Sequence, residues 1–208
     1  MVGMERGHMV RQRLSKEICR EQLLNAAMKC FSEKSYHGAT VNDIIVASGR
    51  SKGALYWYFS SKEEIFLAVV DRWYQKALDD LKDDLEIKRL NFTDVGKRVI
   101  ERMYRYINKE RSFLLTWIEF ASAASRDENI RKNLIEITNR YQHTLSSCLK
   151  ELVRQGEIKE INVPAMTTLL SALHDGFLFN GVIWPEKFAQ KKTLKGVMTL
   201  LAAFVQED

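Results

Sequence analysis

The chain has 208 residues, 46% hydrophobic and 28% charged, with 2 prolines, 10 glycines and 3 cysteines, an ordinary balance for a globular protein built from long uninterrupted segments. No apolar run reaches the roughly 18 residues of a membrane span, so a transmembrane protein is excluded and a cytoplasmic one expected. The net charge of +5 sits entirely in residues 1–62, which hold ten Lys/Arg against five Asp/Glu, whereas residues 63–208 hold 22 of each; such a basic head suits a phosphate-contacting surface and, equally, a solvated basic face.

Residues 1–10 are polar, carry Gly3 and Gly7 and lack the apolar centre of a secretion signal, so residues 1–14 read as an N-terminal tail. Almost every later segment has helical periodicity. A first helix over about residues 15–32 aligns Leu23, Ala27, Cys30 and Phe31, with Ser15 as its N-cap. Thr40 opens a short second helix with Asp43 in its first turn. Ser48 and Gly49 then turn the chain, and Ser51 caps a third helix that ends near Tyr58. Ser61 caps a long fourth helix, about 62–85, whose apolar stripe includes Ile65, Phe66, Val69, Val70, Trp73, Leu78 and Leu81; its acidic cluster, Asp79, Asp80, Asp83 and Asp84, reads as a solvated face. Further helices are expected over about 92–108, 112–125, 128–156, 164–183 and 186–205. Gly156 closes the longest, Pro164 opens the next, and Phe204 and Val205 extend the last stripe. No strand pattern or internal repeat is present. The expected fold is all-α with about nine helices, a three-helix unit over 15–62 and a larger helical domain over 63–208.

Cys19, Cys30 and Cys148 are odd in number and lack metal-ligand spacing. Cys19 and Cys30, about three turns apart, share a helix face but cannot bridge, so buried reduced thiols and no metal are expected. No phosphate-cradling glycine loop, HExxH, CxxC or nucleophile elbow occurs, which argues against an enzyme. A scaffold protein is the other alternative, and neither requires a basic head on a neutral body.

Two short helices joined by a glycine turn, preceded by a supporting helix, make a helix-turn-helix. The residues Thr40-Val41-Asn42-Asp43-Ile44, Ala47-Ser48-Gly49, Ser51-Lys52-Gly53-Ala54-Leu55-Tyr56-Trp57-Tyr58-Phe59 and Ser61-Lys62-Glu63, with Ala26-Ala27, Phe31 and Tyr36 upstream, resemble the DNA-binding domain of TetR-type regulators over about residues 15–65. Ser35 stands where that family has glycine, Ile45 and Val46 where alanine and a polar residue are usual, and Arg50 where a small apolar residue is usual. Val46 is therefore expected to expose an apolar side chain, and Arg50 either to swing out to DNA or to pack the turn differently.

On physical grounds the free amides of Ser51-Lys52-Gly53 face an approaching anion, Lys52 reaches a phosphate or a guanine edge, and Gly53 allows close approach. Tyr56 offers its hydroxyl one turn on, and Trp57 adds contact area. Arg50, Thr40 and Lys62 complete the expected contact set, the last two on the DNA backbone. The competing reading makes the serines simple caps and the tyrosines packing.

The resemblance implies a homodimer on a near-palindromic double-stranded operator, a small-molecule effector and, as for most of the family, repression. It places the dimer interface on the last two helices, here Leu169, Leu170, Leu173, Phe177, Leu194, Met198 and Leu201, a reading that such a face favours over its alternative, internal core. It also implies an apolar effector pocket, expected from Met103, Tyr104, Phe113, Trp117, Phe120, Tyr141 and Phe177, with His143, His174 and Asp175 as polar anchors or, for the last two, a helix-packing feature. The fourth helix, with Phe66 and Trp73, is the expected lever between the halves.

Overall fold

In a computed structural model, the structure describes residues 2–86, 92–186, 188 and 190–203, with side chains from residue 16 onward apart from 190 and 191. The described residues form α1 (Val2–Gly38), α2 (Val41–Ser48), α3 (Lys52–Tyr58), α4 (Lys62–Glu86), α5 (Phe92–Lys109), α6 (Arg111–Ala123), α7 (Glu128–Gln155), α8 (Val163–Ile183) and α9 (Gln190–Ala202). They fall into two compact units, Met1–Asp71 and Arg72–Asp208. Phe204 and Val205, expected on the last stripe, lie outside the described residues.

Local chemistry sets most boundaries. Thr40 forms a full capping box: its Oγ1 accepts from the Asp43 amide at 3.1 Å, and the Asp43 carboxylate accepts from the Thr40 amide at 2.9 Å. Ser51 and Ser61 each accept the amide three residues on, from Ala54 and Glu64, at 3.1 Å. Gly49 (φ 64°) closes α2 in the left-handed conformation that a Cβ disfavours. Asn162 caps α8 ahead of Pro164. One expected boundary is corrected: α1 starts at Val2, so Ser15 lies mid-helix rather than at an N-cap. Polar helix formers and two glycines do not stop a helix as a proline does.

The end of α1 is unusual. Ser35 adopts φ 59°, ψ 175°, the one positive φ outside glycine among the described residues and a region essentially reserved for glycine. Ser35→Gly is expected to stabilise the protein by about 1 kcal/mol, relief of strain exceeding the added freedom of the unfolded chain. Urea unfolding checks this; an unchanged or lowered midpoint would show that the serine conformation is unstrained.

In the first unit Leu23, Leu24, Ala27, Phe31, Ile44, Leu55, Ile65 and Phe66 are all but inaccessible. Phe31 meets Phe66 edge-on at 4.9 Å, and Tyr36 packs on both rings. The second unit is centred on α5 and α8. Gly181 on α8 lets Ile107 of α5 approach where a Cβ would collide with it, and Gly96 on α5 does the same for Leu201 of α9.

The acidic stretch of α4 is only half as expected. Asp79 and Asp83 are exposed. Asp84, however, is 5% exposed and Asp80 is half-buried. Arg102 of α5 bridges both carboxylates, contacting Asp80 at 3.1 Å and Asp84 more closely, while Arg98 reaches Asp84 at 3.2 Å. Tyr106 donates to Asp80 at 3.2 Å. Two carboxylates four residues apart on one helix meet two arginines four residues apart on the next, so the pair closes as a ladder.

Candidate DNA-contact surface and apolar cavity

In the first unit α2, the Gly49 turn and α3 present one set of side chains outward. Ser51, Lys52, Gly53, Tyr56 and Trp57 are all exposed, Trp57 at 63%. Leu55 and Phe59, on the opposite side of α3, are buried. Lys52 and Tyr56 sit one turn apart, the ammonium 5.9 Å from the ring centroid. The hydroxyl of Tyr58 donates to the Lys16 carbonyl at 2.7 Å and ties α3 to α1. That tie brings the Lys16 ammonium to 4.9 Å from the Trp57 ring. Lys16 therefore joins this surface, a neighbourhood that 41 residues of separation concealed in the sequence. Val46 is 73% exposed, as its departure from the family pattern implied.

A Cβ built on Gly53 meets nothing within 4 Å, so the fold itself does not require glycine there. Glycine inside a helix costs about 0.5–1 kcal/mol relative to alanine. Gly53→Ala is thus expected to raise stability by that amount while lowering operator affinity severalfold. Paired melting and DNA-binding titrations check it; unchanged affinity would free this position from any close approach.

Three of the expected contact residues are differently occupied. The ammonium of Lys62 points to the carbonyls of Tyr36 (2.9 Å), Ala39 (3.0 Å) and His37 (3.5 Å) and lies over the Tyr36 ring. It closes the end of α1 instead of facing outward, because the last carbonyls of a helix carry the negative end of its dipole. Arg50 turns its guanidinium to the side-chain oxygen of Gln22 on α1 and packs the turn. Thr40 uses its hydroxyl within the capping box, donating to Asp43 at 2.8 Å. Asp43 also holds Lys34 at 2.6 Å. Lys34 and the Thr40 donors pull its carboxyl down to about 2. A depressed carboxyl stabilises the folded form above the ordinary carboxylate range, and that contribution is lost as pH falls through about 2.

The second unit holds a partly open cavity of about 280 Å³ between the last turns of α4 and helices α5, α7, α8 and α9. Of the residues expected around an effector, Met103, Tyr141 and Phe177 line it. Tyr104, Phe113, Trp117 and Phe120 do not. The Tyr104 hydroxyl donates to the Phe188 carbonyl at 2.9 Å. Phe113 and Phe120 are 1% exposed in the core beneath α6, and Trp117 packs edge-on against Tyr74. The wall is instead aliphatic, from Leu81, Val95, Val99, Leu145, Leu149 and their neighbours, with the thiol of Cys148. Burial raises that thiol's pKa and keeps it protonated. His174 lines the cavity, whereas His143 is exposed on α7.

Of the residues expected at a dimer interface, Leu169, Leu170, Leu173, Phe177 and Leu201 line the cavity, whereas Leu194 and Met198 are half-buried elsewhere on α9. Leu169 and Leu173 are also about half exposed, at 51% and 50%. The outward apolar face of α8 continues through Phe179 and Ile183. Helix α8 is thus apolar on both sides, a pattern of helices that are covered all round. Among the described residues no helix is long and apolar enough to cross a membrane, and no group of three metal-ligating side chains occurs.

Comparison with known proteins agrees with these features. Residues 23–69 match the model of bacterial regulatory proteins of the tetR family, and residues 95–206 match that of the C-terminal part of BetI-type transcriptional repressors. The HTH-type transcriptional repressor AcnR of Corynebacterium glutamicum is 26% identical over 161 residues, 76% of this chain and 79% of that protein. The fatty acid metabolism regulator protein of Bacillus subtilis is 23% identical over 183 residues, 88% and 93% of the two chains. The fold is shared with FadR from Bacillus subtilis in complex with stearoyl-CoA (TM-score 0.70, 20% identity, 89% of this chain and 99% of that one). It is shared also with Salmonella enterica GusR (TM-score 0.71, 20% identity, 90% and 95%). An α2–turn–α3 unit with an exposed basic and aromatic face, joined to a helical domain whose family model spans most of its length, makes this chain a member of the TetR family of DNA-binding transcriptional regulators.

Proposed function

We propose that the chain is a homodimeric repressor that holds a near-palindromic operator through α3 and lets go when a small apolar effector fills the cavity of the second unit. The exposed face Ser51-Lys52-Gly53 with Tyr56 and Trp57 supports the DNA half of this reading most directly. Lys52 and the amino end of α3 take phosphate or a base edge, and Tyr56 and Trp57 flank them. Lys16, beside Trp57, adds a second cation. Arg50 and Lys62 act by shaping the turn and the end of α1.

The apolar outer face of α8, Leu169, Leu173, Phe179 and Ile183, supports a two-fold contact. A two-fold dimer places its recognition helices roughly 34–36 Å apart, one duplex turn. The aliphatic cavity supports an apolar effector. Helix α4 runs unbroken from Lys62 to Glu86 and brings Leu81 and Leu85 to the cavity, which suits it to carry the signal. Effector and operator then weaken each other by the same factor.

Selection of DNA fragments by the native protein at about 150 mM salt is expected to recover a two-fold symmetric site. Lys52→Ala/Tyr56→Ala is expected to bind that site about 10- to 100-fold more weakly, with a shallower salt dependence. Equal binding by both proteins, or no preferred site for either, would remove the DNA contact from this face.

A further inference from the structure

The cavity has one polar end, and its hydrogen-bonding sense can be worked out. His174 lines the cavity from α8. Its Nδ1 lies 3.1 Å from Oδ1 of Asp175, and burial, then the charge of the same carboxylate, push the pKa of the Tyr74 hydroxyl up. An ionised carboxylate only accepts, so the imidazole turns an Nδ1–H toward it. In the neutral ring Nε2 is then an acceptor. No group among the described residues donates to it.

The rings of Trp73, Tyr74 and Tyr141 pack around this imidazole, with centroids 6.1, 6.4 and 5.8 Å away. The indole Nε1–H of Trp73 is fully enclosed and has no partner among the described residues. A buried donor without an acceptor is costly and calls for an explanation. Beyond this end the wall is made of apolar side chains, with the thioethers of Met103 and Met166 and the thiol of Cys148, and no Lys, Arg, Asp or Glu lines it. A charged ligand would be stripped of water with no counter-charge to receive it.

We infer that the cavity takes an uncharged apolar molecule bearing one hydroxyl, an alcohol or a phenol, whose O–H donates to Nε2 of His174. This rests on the cavity being the effector site and names that site's ligand class. A hydroxyl is a neutral group that donates and accepts at once. It satisfies His174 without bringing a charge into the apolar wall. A ketone, ester or ether leaves Nε2 unpaired, and a carboxylate sets a negative oxygen against a lone pair.

The test is calorimetric titration of the full chain at pH 8 with 1-octanol, methyl octyl ether and octanoate. The native protein is expected to bind octanol at least tenfold more tightly than the other two. His174→Leu is expected to bind octanol and the ether alike, and its binding of the ether shows that the cavity is intact. Equal native affinities for octanol and the ether would overturn the hydroxyl assignment and leave the apolar effector site standing. Preference for octanoate would overturn it in favour of an anion. Absence of binding by all three would overturn both the assignment and the effector site itself.

Discussion

Asp84→Ala is expected to destabilise the protein by about 3–5 kcal/mol, the range for removing one partner of a buried ion pair. Asp84 is 5% exposed, and the Arg102 side chain that bridges it to Asp80 is only 16% exposed. Without Asp84 the guanidinium keeps Asp80 but loses its closer partner, and a cation removed from water cannot shed its proton to escape. Asp79→Ala and Asp83→Ala remove the exposed carboxylates that immediately precede Asp80 and Asp84 and are expected to change stability by less than about 0.5 kcal/mol. Urea unfolding of the three variants measures the contrast. Equal small effects would mean that the α4–α5 ladder is solvated and contributes nothing.

Lys62→Met is expected to lower stability by about 2 kcal/mol, in line with charge-assisted hydrogen bonds to backbone carbonyls. Methionine keeps the length of the stem and its packing on Tyr36, so the loss isolates the ammonium. Operator affinity, measured well below the unfolding transition, is expected to fall by no more than about threefold, on the order of 0.7 kcal/mol. The opposite result, intact stability with tenfold weaker DNA binding, would return Lys62 to the role of a phosphate contact. The ammonium is within hydrogen-bonding distance of a carbonyl in the last turn of α1 and of one in the segment that joins α1 to α2.

The contrast between Lys52 and Lys62 shows where sequence reasoning stops. Both are lysines at the first position of a helix behind a serine cap, and the pattern around each is the same to the eye. Lys62 differs because the end of α1, 23–26 residues earlier, stops beneath it. Arg50 likewise finds Gln22 at a separation of 28 residues, and Asp84 finds Arg98 and Arg102 on the next helix. Caps behave differently. Thr40, Ser51, Ser61, Gly49 and Gly156 act within four residues of themselves, so their roles were legible before any fold was known. The helix-turn-helix was legible for that reason together with the family pattern. The cavity was not. Large aromatics were the natural guess for its wall, but Phe113 and Phe120 are needed to fill the core, and leucines of α7 and α8 enclose the space. His174 has its carboxylate partner next to it in the sequence, but the rings of Trp73 and Tyr74 that pack on it come from about a hundred residues upstream.

Leu169 and Leu173 each face the cavity with part of their surface and solvent with the rest. A change at either is therefore read twice, once by whatever occupies the cavity and once by whatever lies against α8. Val99 and Cys148 line the cavity without appearing among the exposed apolar residues. Inheritance should exploit that difference. When relatives of this chain diverge toward new effectors, substitutions are expected to accumulate first at positions such as Val99 and Cys148, while Leu169 and Leu173 change rarely and in company with their neighbours on the outer face. Such paired drift would give the history of the protein two clocks, a fast one inside the bundle and a slow one along a single ridge of α8.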